Sequence, residues 1–241
     1  MDTLIFFLLF AAICFVLSIL AKTIHKRIRV VGALLCAAYL AMDDLITGLP
    51  NVVKALDFVP GHWNWSGKIL SLAFSLIVIF ALKLSPDAVG LKLKQEHAAV
   101  AWAAIAFFIV WGACLGLLFK PGVPDAESLA FQVTMPGLAE EIAYRGIAPA
   151  LLLSLTYHKS HIEGIPWAVV FVTSAMFGIW HSLSYTYGTP GFDVISGLFP
   201  FIGSILGGWV RFKTKSLLVP IACHSLANLA FHIAGGLSAG S

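Results

Sequence analysis

Residues 136–149, Pro-Gly-Leu-Ala-Glu-Glu-Ile-Ala-Tyr-Arg-Gly-Ile-Ala-Pro, place Glu140, Glu141 and Arg145 inside a long apolar stretch. An ionisable side chain at the centre of a bilayer costs about 2.5–3.5 kcal/mol on insertion scales, so three within six residues require partners and a purpose. On a helix, Glu141 and Arg145 stand four apart on one face, acid before base, the favourable order for an ion pair. Glu140 points about 100° away, so Arg145 cannot serve both carboxylates equally. The spacing therefore predicts two roles. Glu141, paired with Arg145, stays ionised and fixes geometry. Glu140, desolvated beside a like charge, is expected to have a raised pKa and to act as a base. The structural alternative is a self-neutralising pair that only locks helices together.

Two further polar sets lie in apolar surroundings. Phe177-Gly-Ile-Trp-His181 puts Phe177 and His181 on one helix face, and His224-Ser-Leu-Ala-Asn228 does the same for His224 and Asn228. His232 continues the second stripe. A carboxylate pair, an imidazole, and an imidazole with a carboxamide are the parts needed for hydrolysis by activated water: a base, a group that orients the water, and donors for an oxyanion.

The elements that must position these groups are membrane helices. The 241 residues are 59% hydrophobic and 11% charged, against about 25% charged for a soluble domain. The chain reads as an all-α polytopic transmembrane bundle, because lipid leaves backbone groups no other way to bond. Stretches long enough to cross, about 20 residues each, fall near 3–21, 29–48, 68–84, 98–119, 128–157, 166–187, 192–212 and 216–236, about eight spans. The fifth is too long for one straight crossing, and Pro136 is expected to divide it. Residues 1–127 read as a scaffold of transmembrane helices and 128–241 as the core that carries the chemistry. Residues 3–21 read as a retained first helix rather than a signal peptide, since no basic segment or small-residue cleavage site accompanies them.

Basic residues sort by connection. Lys22, Lys26, Arg27, Arg29, Lys83, Lys92, Lys94, Lys159, Arg211, Lys213 and Lys215 form one set, against Lys54, Lys68 and Lys120 in the other, with Arg145 left at depth. The positive-inside bias puts the first set in the cytoplasm and both termini outside. A net charge of +3 arranged in this way points to topology and not to nucleic acid. Trp63 and Trp65, in the 49–67 connection, suit the headgroup region. His25, His62, His97, His158 and His161 fall in connections. Cys14, Cys36, Cys114 and Cys223 lie in apolar segments without metal spacing and read as buried small hydrophobes.

Taken together, Glu140-Glu141-x-x-x-Arg145, Phe177-x-x-x-His181 and His224-x-x-x-Asn228 resemble the CPBP family of intramembrane glutamic proteases. That family includes the type II CAAX prenyl endopeptidases (Rce1-like) and bacterial Abi proteins. Each block alone is weak, but all three in order, each in its own span, are specific, and the resemblance covers roughly residues 128–232. It implies that Glu140 and His181 activate water, that His224 and Asn228 hold the oxyanion, and that Glu141, Arg145 and Phe177 support the site. It implies no cofactor and no metal, although a Glu/His set is able in principle to bind zinc. The partners implied are membrane lipid and a membrane-associated peptide substrate, lipidated or not, in a prokaryotic cell membrane. Two other readings remain: a non-enzymatic immunity or scaffold protein, and a proton-coupled transporter, since Glu/His chains also mark proton paths. No inverted repeat or pair of broken helices favours the transporter.

Several strings compete. Gly236-Leu-Ser238-Ala-Gly240 matches a serine-hydrolase elbow without its strand–turn–helix context. Asp43 and Asp44 are adjacent and diverge on a helix, unlike an aspartyl dyad, and are expected to be solvated near the outer end of the second span. No His-Glu-x-x-His string occurs. His232 is expected to pack, and Tyr144 and Trp180 to form cavity walls. Straight helices put His181 and His224 about 10 Å apart in depth.

Overall fold

Apolar runs of about twenty residues, punctuated by basic and Gly/Pro-containing turns, dictate a bundle of long helices. The computed structural model describes residues 2–24, 28–154 and 164–239. The helices are α1 (Asp2–Ile24), α2 (Val30–Val52), α3 (Trp65–Ala81), the short α4 (Pro86–Val89), α5 (Ala98–Phe119), α6 (Ala126–Glu141), α7 (Ala148–Ser154), α8 (Trp167–Ser182), α9 (Val194–Thr214) and α10 (Leu218–Ala239). Among the described residues, five helices are long and apolar enough to cross a membrane: α1, α2, α5, α9 and α10. The shorter α3 and α8 are also apolar. His25, Lys26, Arg27, His158, Lys159 and His161 lie outside the described residues.

The expected break at Pro136 does not occur. α6 runs through Pro136, and the irregularity comes later, as a π-helical turn over Ile142–Ile147 that joins α6 to α7. Pro149 supplies a local reason. Its ring would press on the carbonyl of Arg145 in a regular α-helix, and a wider turn moves that carbonyl away. The sixth span is also shorter than expected. α8 stops at Ser182, and the chain turns into a hairpin of β1 (Leu183–Thr186) and β2 (Thr189–Phe192), paired Leu183 with Phe192 and Thr186 with Thr189. The two turn residues, Tyr187 and Gly188, both have positive φ, 53° and 78°, as a two-residue type I′ connection requires.

Helices pair α1 with α2, α2 with α3, α5 with α10, α6 with α10, and α8 with α9. Two of these seams matter for the site. Along α5, Gly112 and Gly116 present bare backbone to α10, and a Cβ at either would run into the main-chain oxygen of Ala227 or Phe231. This is the small-xxx-small approach of membrane helices. Gly116→Val is expected to cost about 3 kcal/mol or more, because the obstruction is backbone and cannot rotate aside. Thermal unfolding in detergent should show it as a fall of about 6–12 °C.

The α2–α3 seam is polar. Tyr39, Asp43 and Thr47 recur every four residues on α2, opposite Lys68, Ser71 and Ser75 on α3. The Tyr39 hydroxyl lies 2.8 Å from Ser75 Oγ, and Ser71 Oγ donates to Asp43 Oδ1 at 2.6 Å. Asn64 caps α3 by accepting from Gly67 N–H (3.0 Å) and donates its amide to the Thr47 carbonyl (2.8 Å). Asp43 is therefore buried, contrary to the expectation that it is solvated. A carboxylate with a hydroxyl donor at 2.6 Å tolerates a depth that an unpartnered one does not. Of the cysteines, Cys14, Cys36 and Cys223 are buried as expected, but Cys114 on α5 is exposed.

Candidate active site

The carboxylate pair lies at the end of α6, where the helix widens into the π turn. Glu140, Glu141 and Arg145 are all buried. Arg145 Nη1 lies 3.2 Å from Glu141 Oε1, the i,i+4 pair expected from the spacing. The same oxygen accepts from His224 Nδ1–H at 2.8 Å. Glu141 thus binds a cation from its own segment and an imidazole from α10. Gly137 makes room for that helix, since a Cβ there would strike Ser225 and crowd the Ile221 carbonyl.

Glu140 points the other way and meets a residue that its own segment assigns to a connection. Lys68, in the first turn of α3, is buried and donates from Nζ to Glu140 Oε1 at 2.7 Å. The other carboxylate oxygen, Oε2, lies 3.9 Å from His224 Nε2. Desolvation and the adjacent like charge, the grounds for a raised pKa, are countered here by the Lys68 ammonium.

His181 and His224 face the same space. Both rings pack on Phe177, with centroids 4.4 Å and 6.3 Å away. Straight helices would set the two rings at different depths, and here the single Phe177 ring reaches both. Phe177 also carries the Arg145 guanidinium over its ring at 4.4 Å and Tyr144 edge-on at 5.0 Å. One aromatic ring therefore spaces the arginine and both imidazoles. The His181 Nδ1–H donates to the Phe177 carbonyl at 2.8 Å, since a carbonyl can only accept. With each Nδ1 held in this way, each neutral ring keeps its lone pair on Nε2.

Asn228 is placed differently. Its Nδ2 donates to the main-chain and side-chain oxygens of Gln132, at 3.3 Å and 3.1 Å. The reason is Pro136: without an N–H, it leaves the Gln132 carbonyl four residues earlier without its intrahelical donor, and Asn228 fills the gap.

All seven sequence-selected residues, Glu140, Glu141, Arg145, Phe177, His181, His224 and Asn228, line one cavity of about 1040 Å³. Its polar end includes Lys68, Asp44 and Trp180, and its apolar end includes Phe108, Trp111, Leu115, Phe119 and Phe199 from α5 and α9. Asp193 also lines it, and the Ser196 hydroxyl and then the Ile195 N–H hold its carboxyl below the usual carboxylate range. Among the described residues, no three His, Cys, Asp or Glu side chains are grouped to hold a metal ion.

A family model described as type II CAAX prenyl endopeptidase Rce1-like matches residues 125–230. The chain carries an Rce1-like domain. No curated protein and no solved structure matches the chain significantly. That family is one of membrane endopeptidases acting on a peptide or protein at a membrane, which supports the same general class for this chain.

The Rce1-like domain does not build its cavity alone. Asp44, expected to be solvated, accepts from the Trp180 indole N–H at 2.6 Å and so fixes the wall beside His181. Trp63 and Trp65 pack against α6. They stack on or edge against Phe131 at 5.0 Å and 5.1 Å, and Trp63 lines the cavity. Trp180 is a cavity wall as expected, whereas Tyr144 packs behind Phe177. His232 packs edge-on against Phe231. Ser238, the would-be elbow serine, donates to the Gly235 carbonyl in the last turn of α10. One signal in the sequence pointed to Lys68 and Asp43: two polar stripes, Tyr39/Asp43/Thr47 and Lys68/Ser71/Ser75, each on a single helix face in apolar surroundings.

Proposed function

We propose that the protein is an intramembrane glutamic endopeptidase that needs no metal and uses Glu140 and His181 to activate water. The supporting observation is the convergence of Glu140, His181 and His224 on one cavity, with Glu140 Oε2 3.9 Å from His224 Nε2. That separation exceeds a direct hydrogen bond. A water about 2.8 Å from both atoms would subtend roughly 90° between them, so one molecule fits between the carboxylate and the imidazole.

In this mechanism the water proton passes to Glu140, assisted by His181 Nε2, as the water oxygen bonds to the scissile carbonyl carbon. His224, its Nδ1 held on Glu141, faces the oxyanion that forms with Nε2, and in the form that carries a proton there it donates to it. Asn228 joins it only by giving up Gln132. The C–N bond then breaks, and the proton held at Glu140 goes to the leaving amine. The apolar end of the cavity, walled by aromatic rings of α5 and α9, suits an acyl or prenyl chain on the substrate, so a lipidated peptide is the preferred class.

The test is mass spectrometry of membrane peptides from cells carrying the wild type or Glu140→Gln. The expected result is one or more cleaved species present only with the wild type, at a site near a lipidated residue. Identical peptide sets from the two strains would remove the peptidase reading.

A further inference from the structure

The shortest polar contact to Glu140 comes from outside the matched residues 125–230. We propose that Lys68 is a positioning residue for the reaction, holding one oxygen of Glu140 so that the other faces the attacking water. The inference rests on the peptidase reading and adds to it a part that the N-terminal helices supply.

The geometry is asymmetric in the way this role needs. Nζ takes Oε1 at 2.7 Å and leaves Oε2 on the side of His224. A free carboxylate would rotate between its two oxygens, whereas one pinned by an ammonium presents a fixed lone pair. The lysine is itself braced. Asn64 caps the turn that carries it and ties that turn to the Thr47 carbonyl of α2. Gly67 lets the two backbones approach there, since a Cβ would meet the Thr47 oxygen. Nζ also lies 5.7 Å from the ring centre of Trp180, the neighbour of His181, and Asp44 anchors that ring.

The position is a poor one for packing alone. A buried cation in the first turn of a helix faces the positive end of the helix dipole. Replacing a buried ion pair with apolar residues of similar volume is often neutral or stabilising. Asp43 and Asp44 on α2 lie close enough to interact electrostatically with the ammonium, so Lys68 also keeps three neighbouring carboxylates compatible.

The test uses purified full-length protein in liposomes and a quenched fluorescent peptide with a prenylated cysteine near its C-terminus. Lys68→Ala is expected to lower kcat by about 100-fold, the effect of a misplacement of about 1 Å at a reacting group, with KM little changed. Ethylammonium, small enough to enter the space left by the side chain, should restore part of kcat in a saturable way, and sodium at equal ionic strength should not. Lys68→Arg should retain more activity than Lys68→Ala. Undiminished kcat in folded Lys68→Ala would overturn the proposal. So would a rise in KM alone, which would make Lys68 a substrate contact, or a loss of kcat that ethylammonium does not restore. If Lys68→Ala does not fold, Lys68→Gln decides: it keeps an N–H for Glu140 but no charge, and wild-type kcat in it would equally overturn the proposal. Wild-type protein that leaves the peptide intact, with the Glu140→Gln strain showing unchanged membrane peptides, would defeat the peptidase reading itself. Cleavage by the wild type at a rate equal to Lys68→Ala defeats only the role of Lys68.

Discussion

Glu140→Gln is expected to abolish cleavage while leaving the bundle folded. The amide has the shape of the carboxyl group and still offers an oxygen to Lys68 Nζ, which now reaches Glu140 Oε1 at 2.7 Å. What it loses is the capacity to take a proton from water. Removing a general base costs about 10²–10⁴ in rate, so turnover should fall to the limit of detection in a purified assay. The cost to stability needs separate argument, because removing one partner of a buried ion pair can cost about 3–5 kcal/mol. Here two features reduce it. Lys68 lines the cavity and so has access to water there, and Asp43 and Asp44 remain as neighbouring negative charges. A Tm within a few degrees of wild type, measured beside the cleavage rate, is therefore the expected pairing. Glu140→Asp offers a sharper comparison: the charge stays, but the carboxylate withdraws by one methylene, and a displacement of about 1 Å can cost about 100-fold. A Glu140→Gln protein that is folded and turns over normally would show that Glu140 is not the base.

The parts of this site that could be read from the sequence are those written in local spacing. Glu141 and Arg145 are four apart on one segment, and the structure pairs them. Phe177 and His181 are four apart on another, and the histidine bonds back to the Phe177 carbonyl along the same helix. Helix geometry alone brings such pairs together. Lys68–Glu140 and Asp44–Trp180 are separated by 72 and 136 residues, and no periodicity within one helix encodes them. Taken against its own segment alone, Lys68 falls in a connection and Asp44 at a solvated helix end. The facing stripes on α2 and α3 carried the missing information, but only when the two segments were read against each other. Pro136 misled for a related reason. Its missing N–H was read as a break, whereas a side chain from α10 satisfies the freed Gln132 carbonyl and the helix continues. Membrane helices tolerate proline in this way when a neighbour supplies the donor. The π turn that separates Glu141 from α7 follows from Pro149, and a pattern of apolar residues gives no sign of where such a widening falls.

Arg145→Met should produce the largest loss of stability in the domain, and the second half of the pair shows why. The guanidinium is buried in the π turn, with Glu141 at 3.2 Å and the Phe177 ring at 4.4 Å. Removing it leaves the Glu141 carboxylate, itself buried, with only the His224 imidazole as a partner. Stranding a buried charge in this way costs about 3–5 kcal/mol, and the lost cation–π contact adds about 1–2 kcal/mol. Folded protein recovered from membranes should fall sharply. Glu141→Gln in the same chain removes the stranded charge, and the double variant should regain most of the folded yield, because a neutral pair of similar volume has no desolvation to repay. Cleavage should not return with it. His224 Nδ1–H would then rest on a neutral amide oxygen instead of a carboxylate, a weaker hydrogen bond that orients the ring and its Nε2 less firmly toward the oxyanion. Yield and turnover measured on the two single variants and the double variant form a cycle that separates these effects. Recovery of both together would mean that Glu141 and Arg145 serve only to hold the helices. Recovery of yield without turnover means that the carboxylate acts through the histidine.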